Sequence, residues 1–136
     1  MIQEAIKDYP KALEYFQKAL GLHRATGNKR MEGGTLVNIG IINFNLKKYD
    51  EALIYLQQGV LITKDEGDKM TLSIAYESKG NVYREQKKYK LAEEAYQESL
   101  QLSKDLQDTY GIASTTRNLG ETFLNEKRYE QAMVNL

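Results

Sequence analysis

"LKKYDEALIYLQQGV", Leu46 to Val60, decides how this chain is read, because almost the same phrase returns at "QKKYKLAEEAYQESL", Gln86 to Leu100. Partial versions stand at "IKDYPKALEYFQKAL" near the start and "EKRYEQAMVNL" at the end. The offset is forty residues: Tyr9, Tyr49, Tyr89 and Tyr129 align, as do Ala12, Ala52, Ala92 and Ala132, and Gly40, Gly80 and Gly120 form a third series. A fixed internal period of this length marks stacked supersecondary units, none of which buries its apolar face alone.

Inside the quoted stretch, Tyr49, Ala52, Leu53, Leu56 and Val60 recur at three- and four-residue steps, the period of one helix face, and two-residue alternation is absent. Upstream, Leu36, Ile39, Gly40 and Asn43 are matched by Tyr76, Lys79, Gly80 and Tyr83 and by Thr116, Leu119, Gly120 and Phe123. Each unit therefore reads as two helices. The punctuation agrees: Asn28, Asp68 and Asp108 recur where an N-cap oxygen would accept the free N–H groups of the next turn, with Gly27 and Gly67 placed to end the helix before. "LKKYD", "QKKYK" and "EKRYE" put basic side chains near the end of each first helix, where its dipole favours them, and Pro10 opens a second helix where its missing N–H costs nothing.

The totals narrow the function. Of 136 residues, 41% are hydrophobic, enough for a core, and nineteen basic residues balance nineteen acidic ones, leaving no net field to gather nucleic acid or an anionic membrane. With no Cys and one His there is no disulfide framework, thiolate zinc site or common His-based metal site, so no metal or cofactor is expected. No apolar run approaches the roughly 20 residues of a membrane span, and "MIQEAIKDYP" has neither part of a signal peptide. The expected setting is cytoplasmic. No Cys, no His paired with a carboxylate in register and no Gly-x-Ser-x-Gly pattern gives catalysis a foothold, and the chain reads as a non-enzyme.

Leu36, Ile39, Gly40 and Asn43 at these spacings, followed by Ala52 and Leu56, resemble the tetratricopeptide repeat, and the match runs over almost the whole chain. The family's usual unit is about 34 residues; the forty-residue spacing resembles its longer-helix variety in scaffolds and bacterial signalling proteins. The resemblance implies an all-α, right-handed superhelical solenoid of antiparallel helix pairs that binds a protein or peptide in its concave groove, as part of a larger scaffold or regulatory protein. The expected units are 1–26 (a partial repeat with its second helix), 28–66, 68–106 and 108–136 (with a truncated second helix). In helices, that phase amounts to a stub, six full helices and a further short one. Neither end carries a polar capping unit, so the chain reads as part of a longer array, and head-to-tail self-association or a spacer role is the alternative.

The resemblance also places first helices on the concave side. Their inward positions would be Gly34, Val37, Asn38, Ile41, Phe44 and Asn45, then Ile74, Glu77, Ser78, Asn81, Arg84 and Glu85, then Ser114, Arg117, Asn118, Glu121, Leu124 and Asn125. An Asn amide both donates and accepts, so Asn38, Asn81 and Asn118 suit the backbone of an extended peptide. The family's clamp on a terminal carboxylate is not expected, since Glu77 stands where its Lys should be. The stripe Val37, Ile41, Phe44 either grips a partner's apolar side chain or lies beneath a neighbouring helix. Gly33-Gly34 lacks the strand and Lys of a phosphate loop and reads as a close packing contact or a weak point. His23 reads as a surface residue, and the ten Tyr residues, mostly in register, read as packing.

Overall fold

The structure, a computed structural model, describes residues 8–134, and the expected stub at the start falls on residues 1–7, outside them. The described chain is six α-helices: α1 (Tyr9–Thr26), α2 (Lys29–Asn45), α3 (Tyr49–Asp65), α4 (Lys69–Glu85), α5 (Tyr89–Asp105) and α6 (Thr109–Val134). Consecutive helices pack antiparallel, so α2 with α3 and α4 with α5 are the two complete pairs. Each expected cap is made: Asn28, Asp68 and Asp108 accept from the N–H groups of Met31, Thr71 and Gly111 at 3.3, 3.2 and 3.1 Å. Asp8 does the same for Lys11 ahead of Pro10 at 3.0 Å.

The corners need one left-handed residue each. Gly27 (φ 70°) and Gly67 (φ 71°) supply it without a Cβ penalty, whereas Gln107 holds φ 54° at the same register, and Lys47 and Lys87 hold 62° at the other corner. A side-chain-bearing residue in that region costs about 1–2 kcal/mol. At Lys47 and Lys87 the cost is offset, because folding back lets α3 bury Ala52, Leu56 and Val60 and lets α5 bury Ala92, Tyr96 and Ser99.

Pairing is close because small residues face large ones. A Cβ on Gly40 would lie 2.6 Å from Leu56 Cγ, and one on Gly80 2.6 Å from Tyr96 Cε1. At the other crossing Gly33 faces Thr63 at 2.9 Å, which makes that glycine a packing contact. One unit on, the positions of Gly33, Gly59 and Thr63 are taken by Ser73, Ser99 and Ser103, all buried, and the Ser73 hydroxyl lies 3.1 Å from each of the other two. The core proper joins Val37, Leu56, Val60, Leu72, Ala75 and Val82, with Leu20, Leu36 and Ile39 under α1.

The end departs from the expected pattern. α6 runs straight through Lys127-Arg128 to Val134, with no corner and no separate truncated second helix in the described residues. Tyr129 instead sets its ring 5.9 Å from that of Tyr89, and Lys90 pairs with Glu126 at 3.5 Å. Gly120 consequently meets nothing within 4 Å, unlike Gly40 and Gly80, with which it shares a register.

Candidate functional site: the inner face of the first helices

Backbones of α2 and α4 meet directly and side chains of α4 and α6 bond across their seam, whereas the second helices α1, α3 and α5 make no comparable backbone contact with one another. The stack therefore closes toward its first helices, and α2, α4 and α6 line the inner side.

Two of the inward residues expected from sequence stand clear on α2, Asn38 and Asn45, and Arg117 and Glu121 are exposed on α6. Three others are withdrawn from the surface. Val37 is 2% exposed, its Cγ2 pressed against the bare Cα of Gly59, so that end of the Val37, Ile41, Phe44 stripe belongs to the core. Ile41 and Phe44 are half-buried against the same cluster, Phe44 with its ring 5.7 Å from that of Tyr49. Ser78 and Asn118 are buried where neighbouring first helices meet.

Asn118 is committed to a network that stitches α4 to α6. Its Nδ2 donates to Glu77 Oε2 at 3.3 Å, an oxygen that also accepts from Ser114 Oγ at 3.0 Å and Thr115 Oγ1 at 3.3 Å. Its Oδ1 accepts from Arg84 Nη1 at 3.4 Å, and the same nitrogen lies 3.5 Å from Glu121 Oε2. Arg84 also sits 6.0 Å from the centre of the Tyr96 ring, and the Tyr96 hydroxyl donates to Asn81 Oδ1 at 2.5 Å. Burial pushes the Tyr96 phenol up to about 12, against the opposing pull of Arg84. Asn81 retains its Nδ2, which donates to no protein atom among the described residues.

The larger surprise lies at the N-terminal ends of the first helices. Beside Ile74, which is exposed at its expected inward position, Met31, Met70 and Tyr110 are exposed too, Tyr110 by 84%. Met31, Gly34 and Asn38 follow i, i+3, i+7 on α2, Met70, Ile74 and Asn81 share a face of α4, and Tyr110, Ser114, Arg117 and Glu121 share one of α6. Met31 and Met70 line one hollow of about 330 Å³ with Asn38 and the Arg30–Asp68 ion pair (3.4 Å), and Tyr110 and Arg117 line another of about 220 Å³. The inner face is thus apolar at its N-terminal ends and polar toward Asn45, Asn81 and Glu121. The signal was present in sequence: Arg30, Met70 and Tyr110 share one register beside a cap, where an apolar residue has no core to serve.

No helix of the described residues is long and apolar enough to cross a membrane, and no cluster of three metal-ligating side chains occurs among them. No curated protein matches the chain. Among solved structures, the chain is similar to a signal transduction ATPase with numerous domains from Pyrococcus horikoshii, a protein with a tetratricopeptide repeat sensor, at TM-score 0.79 and 18% identity, covering 95% of this chain and 21% of that one. It is equally similar to BtubC (BKLC) of P. vanneervenii, at TM-score 0.79 and 17% identity, covering 93% of this chain and 53% of that one. The chain therefore spans about a fifth of the first protein and half of the second, and at these identities the likeness concerns the fold. In sequence, the tetratricopeptide repeat family matches residues 1–69 and again 70–135, which takes in almost every residue carrying the forty-residue pattern. With helix pairs stacked on glycine-to-large-residue contacts, the chain belongs to the tetratricopeptide repeat family.

Proposed function

We propose that the chain is a non-catalytic protein-interaction module of a larger cytoplasmic scaffold or signalling protein, and that it holds an extended partner segment across the inner face of α2, α4 and α6. The observation that supports this most is the apolar row Met31, Met70, Ile74 and Tyr110, exposed on three successive first helices. Apolar side chains on a solvated helix face have no folding role, and a series of them beside polar groups is how an interaction surface is built. Asn38, Asn45 and the open Nδ2 of Asn81 supply directional bonds for a peptide backbone, and Arg117 and Glu121 add charge selection.

Selection of binders from a random peptide library on the intact chain tests this. Met70→Glu should weaken selected peptides about tenfold or more, the scale for charging an apolar anchor position. Gln97→Lys on α5, exposed and outside every hollow described, should leave them unchanged. Binders indifferent to Met70→Glu and sensitive to Gln97→Lys would overturn the reading.

The second reading is structural, and one observation favours it: the face of α6 around Gly120, with Phe123 and Leu124 both about half exposed, is unpaired. It has the shape of a joint whose other half is a helix with a large side chain opposite the glycine, supplied by a further repeat or by a second copy. Size that grows with concentration in light scattering supports the second copy; a fixed monomer mass rules it out.

A further inference from the structure

Comparison of the two joints between second helices shows that one is sealed and the other is open. At the α1–α3 joint, Ile39 of α2 forms a fully buried floor, Tyr55 of α3 fills the space above it, and Gln17 of α1 donates to the Tyr55 hydroxyl at 3.2 Å. Forty residues on, the same three positions hold Gln57, Lys79 and Ala95. An ammonium replaces the isoleucine and a methyl replaces the phenol. Gln57 turns to the new floor residue, its Oε1 accepting from Lys79 Nζ at 2.6 Å.

The result is a furrow on the outer face between α3 and α5. It consists of two adjoining hollows of about 400 and 300 Å³ that share Lys79 and Tyr83. Ile54 and Leu61 stand exposed on the α3 wall and Leu91 on the α5 wall. Lys79 Nζ lies 5.9 Å from the centre of the Tyr76 ring. An ammonium has three donors, and among the described residues this one has a single hydrogen bond and no carboxylate within ion-pair distance. Glu94 and Glu98 line the same furrow but stay out on the α5 rim, exposed to water. Partial burial lowers the pKa of Lys79, in keeping with a cation short of counter-charge.

From this we infer that the outer furrow is a second docking site, for a peptide segment that presents one Asp or Glu to Lys79 between large apolar side chains. Charge complementarity sets the class: a cation at the floor calls for a carboxylate, and the two rim carboxylates turn away nucleic acids and polyphosphorylated or polyacidic segments. The apolar walls supply area, and the ammonium selects. The site is on the face opposite the inner row and stands or falls independently of the proposal above.

The chain itself supplies the controls, since Lys79→Ile and Ala95→Tyr each restore the residue of the sealed joint. The experiment is an amide NMR titration of the whole chain with acetyl-Leu-Glu-Phe-Leu-amide and with its twin carrying Gln in place of Glu. Saturable shifts centred on Tyr76, Lys79, Tyr83 and Leu91 are expected, with the Gln twin about tenfold weaker, as for loss of a hydrogen bond to a charged group. Lys79→Ile should erase the difference between the twins. Ala95→Tyr should abolish the furrow shifts while the thermal midpoint stays within a few degrees. The inference is overturned if the parent shows no furrow shifts, if the twins bind equally, or if the shifts survive Ala95→Tyr.

Discussion

Gly80 and Gly120 occupy the same register, and the structure gives them opposite fates, so Gly→Ala at the two positions should act with opposite sign. A Cβ on Gly80 would sit 2.6, 2.7 and 2.9 Å from three ring atoms of Tyr96. Comfortable carbon contacts begin near 3.5 Å, so the ring must retreat by most of an ångström. It has nowhere to go, being fully buried, tethered through its hydroxyl to Asn81 and flanked by Arg84. Overpacking of this kind costs about 1–3 kcal/mol, and replacing a mid-helix glycine by alanine returns about 0.8–1 kcal/mol. Gly80→Ala should therefore lose about 1 kcal/mol net. At Gly120 nothing lies within 4 Å; only the gain remains, and Gly120→Ala should be more stable by about 0.8–1 kcal/mol. Thermal or urea unfolding at matched low concentration reads both changes, and the two midpoints should lie about 5–8 °C apart at this chain length. If Gly120→Ala destabilises as much as Gly80→Ala, a helix covers that face in solution and the straight course of α6 is wrong. If Gly80→Ala is stabilising, the register of the α4–α5 pair is wrong.

Gln107 is the non-glycine among three corner residues otherwise filled by Gly27 and Gly67; Gln107→Gly should raise stability by up to about 1 kcal/mol in urea unfolding, the relief of left-handed strain less the added freedom of the unfolded chain. Tyr96→Phe should cost about 1–2 kcal/mol at neutral pH through the loss of the bond to Asn81. Because burial raises the folded phenol to about 12 from 10.0, its contribution is complete below pH 10 and is lost as pH rises through 12. Unfolding curves of the parent should fall more steeply over that window than those of Tyr96→Phe, and parallel curves would contradict the assignment.

Much of the fold was legible because one physical demand recurs: small against large at each pair, Gly40 with Leu56 and Gly80 with Tyr96, and an acceptor at each helix start. Periodicity located those residues well. It could not tell the open inner face from the seams between neighbouring first helices, because a helix in a stack is covered on several sides. Asn38, Ser78 and Asn118 share one register, yet Asn38 is exposed while the other two are buried. Ser78 and Asn118 each have a described first helix before them, which packs against theirs; Asn38 has none. Val37 was lost for a related reason, since its partner Gly59 lies on α3 and a glycine opposite leaves no mark in a pattern of apolar residues. Met70 and Tyr110 share their register with Arg30, and Met31 stands one position on, so the apolar row leaves only a broken mark in the repeat. The straight end of α6 was illegible because its local sequence, "EKRYE", is nearly that of a real corner.

The two seams on the inner face differ in kind. Between α2 and α4 the contact is largely apolar, with Val37, Leu72 and Ala75 in one cluster, and such adhesion tolerates small slides because it is non-directional. Between α4 and α6 it is polar: one Glu77 oxygen takes three donors, and Arg84 reaches both Asn118 and Glu121. A network of this sort fixes register, since a one-residue slip of α6 would leave Glu77 and Asn118 unpaired at a buried seam. It adds little adhesion, because Glu121 is 55% exposed and its ion pair with Arg84 is screened by water. The network thus sets the register of α6, while its packing on α5 supplies the adhesion, with Thr115 and Thr122 buried. Arg84 itself keeps only 18% of its side chain exposed, so its guanidinium is already committed to Asn118 and Glu121 at the seam.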